Sequence, residues 1–262
     1  RFKASKTGLI GTEMTFLGFR CTARGYGPDP SRVAAIAAWA RPTSPKKVRE
    51  FLGMVNFFRK TIPRMARRTA RLRYLTTKTA ALQKPFPFDA RAEEEFQDMK
   101  EVLQGAPVLA YLDSDIPVNL FTDGSINGIS GVAVQYHPDG PRMVACESRA
   151  LKAAEKKWSS TDFELLGAIW GMEVNRDILE GRIPFVLHTD CAALQGLFAK
   201  KEPSARHVRW ILRVQDLMPF KVCHVRGRYN VSDGLSRCEG FQDHDIADAE
   251  AALAGVGNEM VA

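Results

Sequence analysis

Apolar positions change rhythm along the chain near Pro117. Residues 1–27 read as short strands: Met14 to Phe19 is an apolar and aromatic run, and Gly25-Tyr26-Gly27-Pro28 punctuates its end. Asp29-Pro30 offers an N-cap followed by proline at the first helical position. Val33, Ile36, Ala37 and Ala40 follow at helical spacing, and Pro42 closes that helix. Ser44-Pro45 repeats the start signal. Val48, Phe51, Leu52, Val55 and Phe58 or Arg59 trace one face of a second helix that ends before Ile62-Pro63. Together with the basic run Arg64 to Arg73, these helices form a small helical subdomain. Gln83 to Phe88, with Pro85 and Pro87, reads as a linker, and Arg91 to Leu103 as another amphipathic helix.

Beyond Pro117, strand patterns dominate. Val118–Thr122, Gly131–Tyr136 and Met143–Glu147 read as strands, with His137-Pro138-Asp139-Gly140 as a hairpin turn. A long helix follows, with Phe163, Leu166, Ile169 and Trp170 as its apolar stripe. Pro184–Thr189 has strand length, two short helices lie around Ala192–Phe198 and Ala205–Leu217, Phe220–Val225 is strand-like, and Asn230–Arg237 is helical. The predicted order β-β-β-α-β-α-α-β-α is a mixed α/β domain of ordinary size.

Composition adds limits. At 45% hydrophobic and 26% charged, the 262 residues suit a globular protein, not a disordered, collagenous or disulfide-framework chain. No run of 18 apolar residues exists, and Arg1 to Ile10 does not read as a signal peptide. The five cysteines are scattered, with no C-x-x-C pair, which favours a reducing compartment and argues against structural zinc.

Charge changes the picture more. The net charge of +7 is unevenly spread: residues 1–40 carry +4, residues 85–238 carry −3, and the Ala-rich tail 239–262 has six acids and no Lys or Arg. Residues 41–84 hold thirteen bases against Glu50 alone, a net of +12. Such a block suits a polyanion, nucleic acid above all, whereas an ordinary solvated face mixes both signs.

Four acids stand where this fold would expose them. Asp123 follows a strand, Glu164 lies in the first turn of the long helix, Asp190 ends a strand and Asp233 opens the last helix. Clustered carboxylates repel one another unless a cation sits among them, and oxygen ligands without His or Cys pairs select Mg²⁺ or Mn²⁺. Two such ions about 3.5–4 Å apart activate water and steady the departing oxygen of a phosphodiester. Each acid also has a plainer role open to it. Asp123 before Gly124 suits a turn, Thr161-x-x-Glu164 is a capping-box pattern, and Asp190 and Asp233 are both acceptable N-caps.

These segments resemble the Pol polyprotein of Ty3/gypsy-type long-terminal-repeat retrotransposons, from about Phe16 to Arg237. Phe16-Leu17-Gly18-Phe19 is similar to the F-L-G-H strand that grips the primer. Asp29 to Ile36 resembles the thumb helix D-P-x-K-V-x-A-I, and Val48 to Lys60 the segment L-R-S-F-L-G-L-x-N-Y-Y-R-R. Ala106-Pro107-Val108-Leu109 and Thr122-Asp123-Gly124-Ser125 resemble A-P-V-L and T-D-A-S. Trp158 to Leu166 resembles Y-x-x-T-E-x-E-L-L, Arg209-Trp210 an R-W pair, and Val231 to Arg237 the stretch V-A-D-A-L-S-R.

The resemblance implies an RNase H-like α/β fold: a mixed five-stranded sheet with flanking helices, preceded by a small helical thumb and remnant palm strands. It implies a palm remnant over 1–27, a thumb over 28–84, a linker over 85–116, the RNase H-like domain over 117–238 and a tail over 239–262. Asp123, Glu164, Asp190 and Asp233 become the metal-binding and catalytic acids, with Mg²⁺ (or Mn²⁺) as cofactor. The implied reaction hydrolyses the RNA strand of an RNA–DNA hybrid, RNA being told from DNA by its 2′-hydroxyl. Lys46, Lys47, Arg49, Arg59, Lys60, Arg64, Arg67 and Arg68 become contacts to the hybrid's phosphates, with Gly124 and Ser125 beside the first acid. The remainder of the polyprotein, fingers, palm and integrase, is the implied partner, with no membrane and an intracellular, cytoplasmic or nuclear place.

Departures from the pattern are specific. The polymerase Tyr-x-Asp-Asp turn is missing, so this chain is not expected to polymerise alone, and Tyr111-Leu112-Asp113-Ser114-Asp115 reads as linker. No histidine lies between Val225 and Ser232, where many ribonucleases H carry a mobile one; His224 is expected in the strand, and His207 is a candidate substitute. Two other functions compete with the nuclease: a catalytically inactive nucleic-acid-binding remnant, and a DNA-strand nuclease on the same fold.

Overall fold

The computed structural model describes residues 11–106, 108–181, 183–191, 194, 197, 204–225 and 260–261. Three strands open it: β1 (Glu13–Phe16), β2 (Phe19–Thr22) and β3 (Gly25–Pro28), an antiparallel meander. The apolar run Met14–Phe19 is split by a two-residue hairpin turn. Phe16 pairs with Phe19, and Leu17 and Gly18 between them have φ of 47° and 80°. Positive φ at both central positions matches the right-handed twist of the flanking strands.

The helical subdomain comprises α1 (Pro30–Ala37), α2 (Pro45–Phe57), α3 (Met65–Arg68), α4 (Ala70–Tyr74), α5 (Lys78–Ala81) and α6 (Ala90–Gln104). Asp29, Ser44 and Asp89 cap α1, α2 and α6 by accepting from Ser31, Lys47 and Ala92 backbone N–H groups. Val48, Phe51 and Val55 of α2 meet Phe96, Met99 and Leu103 of α6 in one apolar cluster, which Phe58 completes while Arg59 stays exposed. Residues 90–104 are thus part of this core.

The second body is a mixed sheet in the order β6-β5-β4-β7-β8-β9. Strands β4 (Asn119–Ser125), β5 (Gly128–His137) and β6 (Gly140–Arg149) run antiparallel. Strands β7 (Val186–Thr189) and β8 (Phe220–His224) add in parallel beside β4, and the short β9 (Met260–Val261) lies at the edge. Helix α7 (Ser160–Val174) leads into α8 (Arg176–Leu179), and α9 (Ala205–Val214) packs on α7. The α7 residues Phe163, Leu165, Leu166, Ala168, Ile169 and Met172 join Leu120, Ile129, Leu187 and Val222 in the main core. Burial between sheet and α9 explains why α7 is apolar on more than the one stripe its spacing suggests. No helix among the described residues is long and apolar enough to cross a membrane.

Candidate carboxylate site

Helix α7 lies unusually close to β4 because both surfaces carry glycine. A Cβ added to Gly124 would sit 2.0 Å from Phe163 O, and one on Gly167 would sit 2.8 Å from Asp123 O. Contact at that range admits no side chain. It brings the first turn of α7, with Glu164, against the end of β4, where Asp123 stands. Strand β7, paired in parallel with β4, ends at Thr189 and delivers Asp190 next to them. Acids at strand ends meet one rim of a sheet, where the chain turns away and a ligand can enter.

Burial and mutual repulsion mark this cluster. The Glu164 carboxyl is pushed above the ordinary carboxylate range by desolvation first and by the Asp190 charge next, with Asp123 adding to it; a Cys191 hydrogen bond works the other way. Asp190 Oδ1 is buried with no hydrogen-bond partner among the described residues. His224, at the end of β8, turns its Nε2 to the Asp190 carbonyl at 3.1 Å.

The plainer role open to Glu164 is taken by other residues. Ser159 is the N-cap of α7 and forms the capping box with Asp162, so Glu164 is left for the site. Thr189 Oγ1, not Asp190, accepts from Cys191 N. Asp233 lies outside the described residues. His207 is on α9 beside Trp210, with ring centroids 5.6 Å apart.

The basic residues divide into groups. Lys46, Lys47 and Arg67 are exposed, as is Arg49, whose Nη1 donates to Thr76 O. Arg59 and Lys60 face the buried Glu147 of β6 at 3.9 and 3.5 Å. Arg68 pairs with Asp98 and donates to Pro63 O. Arg64 is buried and its Nη2 lies 3.0 Å from Asp123 Oδ2, a contact that one basic residue among thirteen gave no reason to expect. Gly124 and Ser125 are half-buried at the end of β4, with Ser125 Oγ donating to Gly128 O.

Among the described residues no three His, Cys, Asp or Glu side chains converge closely enough to hold a metal ion. The donors still suit a hard divalent cation: they are all carboxylate oxygens, they repel one another, and one of them is buried without a partner among the described residues. Asp123, Glu164 and Asp190 are the residues that would contribute ligands to it, short of a complete set among the described residues.

Comparison with known proteins agrees with this fold. Residues 113–217 match the family described as the RNase H-like domain found in reverse transcriptase. The chain is 31% identical over 240 residues to the retrovirus-related Pol polyprotein from transposon opus of Drosophila melanogaster, covering 88% of this chain and 24% of that protein. Against the Pol polyprotein from transposon 297 of the same organism the figures are 30% over 249 residues, 93% and 22%. Against the transposon Tf2-3 polyprotein of Schizosaccharomyces pombe they are 29% over 231 residues, 86% and 17%. This chain therefore spans a quarter or less of the length of these relatives. Among solved structures, foamy viral protease-reverse transcriptase in complex with RNA/DNA hybrid superposes with a TM-score of 0.64 at 21% identity, over 81% of this chain and 29% of that one.

Proposed function

This chain carries an RNase H-like domain of the reverse-transcriptase type and is homologous over most of its length to Ty3/gypsy-type Pol polyproteins, and from that premise we propose that it hydrolyses the RNA strand of RNA–DNA hybrids. The observation that carries the proposal is the meeting of Asp123, Glu164 and Asp190 at one rim of the sheet, where α7 closes on β4 and β7 pairs beside it. Asp233 is the fourth acid of this reading. Two Mg²⁺ (or Mn²⁺) ions, when bound, would supply activation of the attacking water and neutralise charge on the departing oxygen.

The chain's own residues do the rest. Asp123, on a strand pinned by close glycine contacts, offers a rigid carboxylate; Glu164 approaches from a helix and Asp190 from a second strand, so each acid is fixed by a different element. Asp190 Oδ1 has no competing donor among the described residues. The exposed bases Lys46, Lys47, Arg49 and Arg67 would hold phosphates of the hybrid without reading its sequence. The fingers, palm and integrase of a longer polyprotein are the proposed partners.

A gel of labelled hybrid with Mg²⁺ tests the reading. Cleavage of the RNA strand is expected, abolished by Asp123→Asn and by chelation; well-folded protein that leaves hybrids intact overturns it. The Arg64–Asp123 ion pair favours a second reading, a hybrid-binding domain without catalysis. That domain would bind hybrid with no need of metal, and Asp123→Asn would leave binding unchanged.

A further inference from the structure

Arg64 belongs to the helical subdomain, yet its charge is spent inside the α/β domain. Its side chain is 9% exposed and ends 3.0 Å from Asp123 Oδ2. The backbone delivers it at a cost, since Arg64 has φ 53° and ψ 28°, the left-handed region that long L side chains avoid. Neighbouring contacts hold this conformation. Ala66 N donates to Ser148 Oγ at 3.2 Å, and a Cβ on Gly128 would meet Ala66 Cβ at 3.2 Å, so β5 and β6 lie directly against the turn. Arg59 and Lys60 face Glu147 of β6 on the same side.

Apart from the Ala66–Gly128 approach these contacts are polar, and among the described residues neither large apolar cluster crosses them. The apolar attachment of the N-terminal segment to the α/β domain runs instead through Tyr26 and Leu109. A polar seam of this kind is the sort that opens and closes.

We infer that Arg64 is a resident counter-ion of the carboxylate cluster, held on Asp123 in the absence of metal and released from it when a divalent cation binds. The inference rests on the ribonuclease reading above. A guanidinium and a divalent cation repel at contact distance, so each occupant weakens the other's hold on Asp123. The coupling is reciprocal: whatever draws the helical subdomain off β4 raises metal affinity, and metal loosens the seam. The site of a nuclease whose substrate lies along the basic surface would thus stay closed until that surface is engaged.

Titration of the full chain with Mn²⁺, followed by the electron paramagnetic resonance of the free ion and without nucleic acid, tests this. Arg64→Gly should tighten Mn²⁺ binding about five-fold or more. Glycine is at ease at this φ, so the fold should persist, as circular dichroism would verify. Arg64→Lys keeps the charge and should bind as wild type does, and Lys78→Gln controls for the loss of one exposed charge of the same basic block. Asp123→Asn should weaken binding in both the wild-type and Arg64→Gly backgrounds. If Arg64→Gly binds Mn²⁺ as wild type does while Asp123→Asn weakens it, the counter-ion role falls and the metal-site reading stands. If Arg64→Lys behaves as Arg64→Gly, charge is not the agent and the role falls as well. If Asp123→Asn alters affinity in neither background, both inferences fall.

Discussion

His188, on β7 two residues before Asp190, shows how one buried group ties stability to pH. Its ring stacks on Phe121 at 4.2 Å and 11°, its Nε2 lies 2.8 Å from Asn119 Oδ1, and its Nδ1 is buried without a hydrogen-bond partner among the described residues. Burial holds the imidazole neutral and pushes its pKa from 6.5 to about 4. The unfolded chain therefore takes up this proton before the folded one does. The stability contribution is full above pH 6.5 and is lost as pH falls toward 4, up to about 3 kcal/mol in all. Urea unfolding at pH 7, 5.5 and 4.5 should show a steeper loss for wild type than for His188→Gln, which keeps a donor for Asn119; equal slopes would contradict it. At this scale the acids were legible and the cation was not. Asp123, Glu164 and Asp190 carry local signals in strand ends and a helix start, whereas Arg64 is one base in a basic run. Its partner comes from a distant strand through a left-handed turn that arginine does not announce. The glycines were also silent, because Gly124 and Gly167 matter for what passes them in space.

Between residue and molecule, the short helices of the basic run show what local pattern leaves out. Thr69 gives α4 no side-chain cap; instead both oxygens of Glu95, on α6, accept from Arg71 N and Leu72 N at 2.9 Å each. This cap comes from another element. Burial pushes the Glu95 carboxyl above its usual range, and the two backbone N–H bonds pull it back. Glu95→Ala strands two half-buried donors and should lower the unfolding free energy by about 2 kcal/mol. Glu95→Gln, which keeps an acceptor, should cost less. Urea denaturation of the two variants measures both, and a silent Glu95→Ala would mean that water replaces the cap. The same acids explain how so basic a stretch folds. Arg68 meets Asp98, Arg71 meets Asp89, and Arg41 meets Glu93, so α6 and its cap neutralise part of the +12 block. Helices α1 and α2 were readable from caps and spacing and α6 and α7 from spacing, the capping box of α7 being Ser159 with Asp162 and not the Thr161-x-x-Glu164 pattern. Helices α3, α4 and α5 were not, because each has only four or five residues, and α3 and α4 lean on Asp98 and Glu95 of α6. The hairpin turn at Leu17-Gly18 was hidden for a different reason: it sits inside an unbroken apolar run.

The molecule as a whole is two apolar cores joined by a charged seam, and that arrangement governs how it should come apart. One core gathers α1, α2 and α6; the other fills the space between the sheet, α7 and α9. Each is large enough to fold cooperatively by itself, so their coupling depends on what crosses between them. Tyr26 and Leu109 supply an apolar bridge, with their backbones exchanging two hydrogen bonds of 2.8 Å. Beside the Ala66 N–Ser148 Oγ hydrogen bond, the other side-chain contacts are ionic: Arg59 and Lys60 with Glu147, and Arg64 with Asp123. Salt acts unequally on these. The Arg59 and Lys60 side chains are more than half exposed, so their pairing weakens as the screening length falls to about 3 Å near 1 M salt. The buried Arg64 pair feels salt far less, and the apolar bridge not at all. Calorimetry should accordingly show one broad transition at low salt that separates into two as NaCl rises. Glu147→Gln, which removes the anion shared by two bases, should bring the separation to lower salt. A single unchanged transition across the whole range, in wild type and variant alike, would mean that the Tyr26–Leu109 bridge alone couples the cores. The seam near Asp123 would then be a passive contact, with no part in controlling access to the carboxylates.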